Sequence, residues 1–470
     1  MMKISPALPA MICKQGIWVS MSIFATAEFT TGVAIAQSIS IDNSTPTILT
    51  GLDNCVTGDC TITGGTTSGS NLFHSFSNFN VDANATVTFA PANNIDNIFS
   101  RITTIDPNNI SNIDGILAVT GDANLFLLNS NGILFGDNAT LNIDGSFLAS
   151  TAESITFEND QQFSTTNTKA PSLLTISTPI GLQFGNTPQP IEVGSSNTAN
   201  TSLQVGTNQN LALIGGNVAL NSSRLTAVDG HIEIGSVGSN SQIGLTIPTP
   251  DPAMPNAILA SWAFDYDQVD DFQDISILQG SSVSVNGLDA GHIRLQGQTI
   301  DIDSSTLSAG VFDSGNGEIT INASESLQVD TSPSTLTTTP STISISVQPG
   351  AEGNGTSLLQ IDAPEIRMNA GAQINMLMAG NGQSGEVNIS SNNIQVSGES
   401  TGTRARPTTI ATGVVFGNPN TPGTGDGGTL NIETQTLTVD SGAQVAARTD
   451  SLVNGGNLNI NGGVQTINGE

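Results

Sequence analysis

Residues 123–151, ANLFLLNSNGILFGDNATLNIDGSFLAST, set the rhythm of the chain. Four short apolar bursts (125–128, 133–135, 141–143 and 147–149) are separated by the turn-forming strings NSNG, GDNAT and DGS. Leu125, Ile133 and Leu141 lie eight apart, and so do Leu127, Phe135 and Ile143. A beat of eight is too short for helices and too regular for a loop. It predicts strand–turn units that make successive corners of an all-β core. Gly132, Gly136 and Gly145 fit corners needing positive φ, a region that the neighbouring Asn and Asp residues also tolerate.

Beyond Phe272 the pattern becomes an explicit repeat. Gly291 opens GHIRL and is followed by Ile300-Asp-Ile302; Gly317 opens GEITI, followed by Leu327-Gln-Val329. Gly385 opens GEVNI before Ile394-Gln-Val396, Gly428 opens GTLNI before Leu437-Thr-Val439, and Gly456 opens GNLNI. Gly291 and Gly317 are 26 apart, Gly428 and Gly456 28 apart, and the longer interval from Gly317 leaves room for a degenerate unit at 357–368. Each apolar–x–apolar pair points two side chains to one face of a strand. Stacking such units at the strand spacing of ~4.8 Å buries those faces in a continuous column. The pattern therefore predicts a parallel β-helix. A β-propeller is the rival, but its blades need about forty residues, more than the two shortest intervals provide.

Elsewhere the strand-like runs continue through 38–157 and 208–234. The run TIPTPDPAMP (246–255) carries four prolines, which suit neither helix nor interior strand, and predicts an excursion from the main body. The acidic, aromatic segment 262–272 follows, with the only Tyr of the chain. It reads as a strand or loop insertion, with a sugar-binding or calcium loop as the alternative.

Composition narrows the function classes. Among 470 residues, 40 acidic side chains face 10 basic ones, a net charge of −30. Nucleic acid and anionic membrane surfaces both call for Lys and Arg, so neither is an expected partner. Residues 1–36 read as a secretory signal peptide: Lys3 and Lys14, a largely apolar stretch at 16–27, and Ala34-Ile35-Ala36 before Gln37 as the cleavage site. No uninterrupted apolar span of ~20 residues exists to make a stable membrane anchor. With Cys13 inside the signal, Cys55 and Cys60 remain as an even pair in an exported chain, which favours a disulfide across a short turn.

The string NLFLLNSNGILFG resembles the NPNGI segment of the two-partner secretion domain, the N-terminal region of filamentous-haemagglutinin-type exoproteins. NLFHSFSNFNV (71–81) and ISNIDGILAVTGDANLFL (110–127) resemble its flanking parts, and GSFLAST its continuation. The likeness covers roughly 38–157. One departure is visible, since Ser130 stands where the family has Pro. The resemblance implies a right-handed parallel β-helix of the pectin-lyase-like type. It also implies a partner outer-membrane β-barrel transporter that recognises the N-terminal domain in the periplasm of a Gram-negative bacterium and releases the chain outside, as a secreted or surface protein. On that basis Asn129, Ser130, Asn131, Gly132 and Ile133 form the secretion motif read by the transporter. The chain then divides into a signal peptide (1–36), a secretion-domain core (37–157), a β-helical extension with the Pro-rich and acidic-aromatic insertion (158–274), and a Gly-punctuated passenger (275–470).

No phosphate loop, dinucleotide fingerprint, zinc motif or nucleophile elbow is present, and the expectation is a non-enzyme without cofactor or metal. GTGDGG (423–428) lacks the tandem period of a calcium-binding glycine repeat. His74, among Phe73, Phe76 and Phe79, reads as a packed side chain. The competing enzyme reading is a polysaccharide lyase or glycosidase. A glycosidase would draw its two carboxylates from Asp265, Asp267, Asp270 and Asp271, whereas a lyase would need basic groups that are scarce here. Adhesion through a host-cell or glycan ligand is the role the family implies, and a ligand-free structural filament is the third possibility.

Overall fold

The computed structural model describes residues 38–467, apart from 104–105, 159–160, 168–177, 196–200, 249–260, 333–339, 402–404, 419–420, 423 and 450–452. The signal-peptide residues, with Ala34, Ala36 and Gln37, and most of the Pro-rich run lie outside them. Among the described residues there are strands, one 3₁₀ turn (Leu52–Asn54) and no α-helix.

The strands stack into a right-handed parallel β-helix with three sides. One coil shows the plan: Asn124–Leu128 on the first side, Ile133–Phe135 on the second and Thr140–Asn142 on the third. Leu125, Ile133 and Leu141 thus open the three sides of a single coil, so the eight-residue beat is the length of one side plus its corner. Each strand bonds in parallel to its equivalents in the coils before and after. On the first side, Ile98, Leu125, Phe147, Leu211, Ile232, Ile293 and Ile319 stand in register. The same column continues through Leu359, Val387, Leu430 and Leu458. All of these but Leu458 are buried. A fully buried Ile or Leu is worth roughly 2–3 kcal/mol relative to exposure, and the columns repeat that gain in every coil.

The Gly-punctuated units of the sequence are first-side and second-side strands joined across one corner. The segment at 357–368 is an ordinary coil in which Leu359, Ile361, Ile366 and Met368 hold their places in the columns and Ser357 occupies the Gly position. The third side, including Thr306–Val311, Thr342–Val347, Gln373–Met378 and Thr409–Val414, lacks the opening Gly of those units. The corner glycines are required by close approach of neighbouring coils. A Cβ on Gly428 would overlap the Gly385 carbonyl, and one on Gly456 the Gly428 carbonyl. The same cause holds at Gly136 and Gly145, where a Cβ would overlap Asp114 and the Asp122 carbonyl. Positive φ, expected for three of the early glycines, occurs only at Gly132, at 117°.

The open edge of the first coil is covered. Ser38–Ile41 pairs antiparallel with Asn71–Asn80, and Thr47–Gly51 with Cys60–Gly64. An exposed ladder there would invite pairing with other chains. Asparagine ladders reinforce the outside of the first side. Asn124 Nδ2 donates to Asn97 Oδ1 and Asn97 Nδ2 to Asn71 Oδ1, at 2.9 and 3.0 Å. Asn459, Asn431 and Asn388 repeat the arrangement, at 2.8 Å each.

Two excursions leave the helix between the first and second sides, after residue 150 and after residue 236. Together they build a five-stranded antiparallel sheet in the order Gln161–Ser164, Ser154–Phe157, Pro179–Gln183, Gln242–Thr246 and Ala263–Asp265. This sheet covers the outward row of the first side, where Phe73, Phe99, Phe126, Leu148 and Ala212 follow one another. Phe73 stacks on Phe99 (5.2 Å), Phe99 on Phe126 (4.6 Å) and Phe126 on Trp262 (5.0 Å). The result is a second hydrophobic core, separate from the column core. Trp262 and Phe264 belong to it, so the acidic-aromatic segment is a strand insertion.

Gly428→Ala is expected to lower the stability of the folded chain by about 1–3 kcal/mol, because the added methyl must push two coils apart. The midpoint of urea unfolding measures this, and an unchanged midpoint would contradict the coil-to-coil contact at that corner.

Candidate functional site

The turn at 129–132 closes the corner between the first and second sides. Asn129 is fully buried. Its Oδ1 accepts the Asn131 N–H (3.0 Å), while the Gly132 N–H donates to the Asn129 carbonyl (3.1 Å), so an Asx-turn and a β-turn are superposed. Its Nδ2 donates to the Asn109 carbonyl (3.1 Å) and to Ser111 Oγ (3.0 Å) in the preceding coil. Gly132 needs its left-handed conformation for the chain to leave the turn toward Ile133. The Ile133 N–H then donates to the Pro190 carbonyl (3.2 Å), and the Ser111 N–H to the Gly132 carbonyl (3.1 Å). Asn129, Gly132 and Ile133 are therefore buried parts of the corner. Ser130 and Asn131 are half-buried and make up the part of the motif that reaches the surface.

Ser130, the departure from the family pattern, ties the turn to the antiparallel sheet. The Thr165 hydroxyl, just past the strand Gln161–Ser164, lies 2.9 Å from Ser130 Oγ and 3.1 Å from the Glu153 carbonyl, hydrogen-bonded to both. Arg101, one coil away, performs the same kind of tie from inside. It is 1% exposed, with Nε donating to Ser75 Oγ (2.8 Å), one terminal nitrogen to the Ser164 carbonyl (2.7 Å) and the other to Ser44 Oγ (3.1 Å). Its guanidinium lies 4.4 Å from the centre of the Phe163 ring. Burial lowers its pKa to about 10, partly offset by Asp42, so it stays charged at neutral pH. Burial alone would raise Asp42, but bonds from the Thr103 hydroxyl, the Ser44 N–H and the Ser75 hydroxyl outweigh it and hold the carboxylate below its ordinary value. One cation thus joins the covering strand at the N-terminal end, the first side and the antiparallel sheet.

His74 points into the core, 5.6 Å from the Phe89 ring and 6.2 Å from the Phe76 ring, with Nδ1 3.0 Å from Thr47 Oγ1. It is a packed side chain. Cys55 and Cys60 are bonded to each other, with their Cα atoms 5.2 Å apart, and both sulfurs lie in the core of the first coils.

At its far end the sheet is anchored by a polar cluster that sequence reading did not single out. Glu233, fully buried, accepts from the Tyr266 hydroxyl (2.7 Å) and pairs with His231 Nε2 (2.9 Å). Arg294 stacks on Tyr266, 5.0 Å from the ring centre, and donates to the Phe264 carbonyl (2.8 Å). Burial, then the neighbouring Glu233, raises the Tyr266 pKa well above its ordinary value, so the phenol remains a donor. His231, Glu233 and Arg294 sit at alternate positions of adjacent strands, a spacing that sequence alone does not connect to Tyr266.

Asp265, Asp267, Asp270 and Asp271 lie at the end of the strand Ala263–Asp265 and in the chain just past it. All four are exposed; Asp265 Oδ1 accepts the Asp267 N–H (2.8 Å) in a turn, and the Asp271 carbonyl accepts the Gly238 N–H (2.7 Å). Trp262 and Tyr266 are turned inward and offer no stacking platform to a sugar. Among the described residues no group of three His, Cys, Asp or Glu side chains could hold a metal ion. Nor is any helix there long and apolar enough to cross a membrane.

Comparison with known proteins meets this geometry from two directions. The family model described as the TPS secretion domain matches residues 40–295, which span the first coils, the turn at 129–132 and the whole antiparallel sheet. The crystal structure of the HMW1 secretion domain from Haemophilus influenzae is similar in fold, with a TM-score of 0.50 over 92% of this chain and 100% of that chain, at 18% identity. No curated protein matches the chain.

The buried His74 makes stability depend on pH. Burial lowers its pKa to about 4, against 6.5 for the free side chain. The unfolded chain therefore takes up a proton first, and the contribution of neutral His74, complete above about pH 6.5, is lost as the pH falls through 4. The full loss is about 3 kcal/mol for this residue. His74→Gln should show a shallower fall of unfolding free energy between pH 6.5 and 4 than the natural chain, and equal slopes would contradict the burial of a neutral imidazole.

Proposed function

The chain belongs to the TPS secretion domain family, and from that premise we propose how its parts divide the work of export. As a two-partner secretion exoprotein of a Gram-negative bacterium it is exported through a partner transporter. In our reading residues 1–36 are a signal peptide cut after Ala36, ahead of Gln37, which delivers the chain to the periplasm. The outer-membrane transporter then engages the N-terminal coils, and the coils after residue 274 follow as the passenger and act as an adhesin at the cell surface. The exported product has no enzymatic role in this reading.

The observation that carries the recognition role is the division of labour within the turn. Asn129 spends its side chain on closing the corner and on the coil beneath it. Asn131 contributes its backbone N–H to that closure and, with Ser130, is the half-buried part of the turn that reaches the surface. We assign contact with the transporter to Ser130 and Asn131, with Asn129, Gly132 and Ile133 holding them in place.

Two variants separate the roles. Asn129→Asp sets a carboxylate oxygen against the Asn109 carbonyl and removes both donor bonds, a loss of about 2–4 kcal/mol, so folding and secretion should fall together. Asn131→Asp keeps the size and the turn preference, so the protein should fold as before while its amount in the medium drops when co-expressed with the transporter. Normal secretion of Asn131→Asp would remove Asn131 from the recognition surface.

A further inference from the structure

In the early coils the corner between the first and second sides is where the two excursions emerge, and their sheet covers the side beside it. After the second excursion rejoins the helix the corner is open, and a groove of about 820 Å³ runs along it from Gln296 to Gly463. It continues onto the first side through a smaller recess of about 340 Å³ that shares Ser390, Glu433 and Asn461. We propose that this groove binds a neutral, hydroxyl-rich oligosaccharide lying along the helix axis.

The lining selects the ligand class. Asn322, Asn392, Gln435 and Asn461 present amides from successive coils, and Asp362 and Glu433 present carboxylates. An amide side chain both donates and accepts, which matches sugar hydroxyls that do the same. The floor is kept low by small residues, among them Ala323, Ala363 and Gly462, so that a chain of rings can approach the backbone. Gln435 Nε2 donates to Asn392 Oδ1 (3.2 Å), which fixes two of the amides across adjacent coils before any ligand arrives. The coils repeat at the strand spacing of ~4.8 Å, comparable with the length of one sugar residue, so a polymer along the axis meets about one coil per ring.

Other ligand classes fit less well. The lining holds two carboxylates and neither Lys nor Arg, which repels uronic or sulfated sugars. An extended peptide would bind by adding a strand, but the first-side strands at 318–322, 358–362, 386–390 and 429–434 are paired on both edges. Nor does the groove contain an aromatic or large apolar pocket to anchor a side chain. Without a stacking ring, affinity rests on hydrogen bonds and is weak, with a Kd on the order of 1 mM. The inference rests on the adhesive reading only for its biological use; saccharide binding by the purified chain and its secretion into the medium are measured apart, so the two can fail separately.

Titration of the purified, exported chain with neutral pentasaccharides of glucose, mannose and galactose, with pentagalacturonate and with a lysine-rich nonapeptide tests the proposal. At least one neutral pentasaccharide should bind. The double variant Asn392→Ala, Gln435→Ala, both exposed positions, should weaken it at least tenfold while leaving thermal unfolding in place. A second variant, Ser324→Trp, would block the groove at an exposed position without removing either amide, and should weaken binding as well. Failure of every neutral pentasaccharide to bind, unchanged affinity in the variants, or tighter binding of the galacturonate or the peptide would each overturn it.

Discussion

Between the end coils, the strands of the three sides lie between parallel neighbours at the ladder spacing, and that constraint shapes nearly everything else in the molecule. It satisfies the interior backbone groups coil by coil, so each side chain is fitted against the equivalent residues above and below it. Inward rows are mostly apolar, as the column from Ile98 to Leu430 is throughout, and the polar exceptions His74 and Ser100 sit in the first coils. Corners must be narrow, which is why a carbonyl of the adjoining coil fills the place of a Cβ at Gly428 and Gly456. Outward rows are free to change character, and they do so once, at the end of the antiparallel sheet.

That change organises the surface. Where the outward row of the first side is Phe73, Phe99, Phe126, Leu148 and Ala212, the sheet covers it and a second core results. The row then becomes Glu233 and Arg294, which bond to Tyr266 and Phe264 at the rim of the sheet. Farther on it is Gln360, Asn388, Asn431 and Asn459, uncovered and amide-rich. Arg101 and Ser130 hold the opposite end of the sheet to the helix. The segment matched by the family model ends near this transition, at residue 295.

Much of the helix was legible because its periodicity is local. The eight-residue beat and the apolar–x–apolar pairs place side chains on a face without reference to distant residues, and the family string NSNGI falls on a corner. What stayed hidden depends on partners far apart in sequence. The antiparallel sheet joins strands near 155, 163, 180, 243 and 264, each of three to five residues, and its neighbours 179–183 and 242–246 are separated by helix strands lying between them in sequence. The His231–Glu233–Tyr266 cluster is likewise assembled across the second excursion. The third side shows in the early burst at Leu141, but in the later coils its strands lack an opening Gly to mark them. At Ser130 the sequence shows a missing Pro, whereas the hydroxyl contact that takes its place requires Thr165, 35 residues away.

The TPS secretion domain implies a partner transporter, and the proposal that the N-terminal coils make this chain its cargo is open to direct test. Quantifying the full chain in medium and periplasm, with and without co-expression of the partner transporter, tests it most directly. The account predicts folded protein in the medium only when the transporter is present, and accumulation in the periplasm when it is absent. Equal amounts in the medium under both conditions would contradict it.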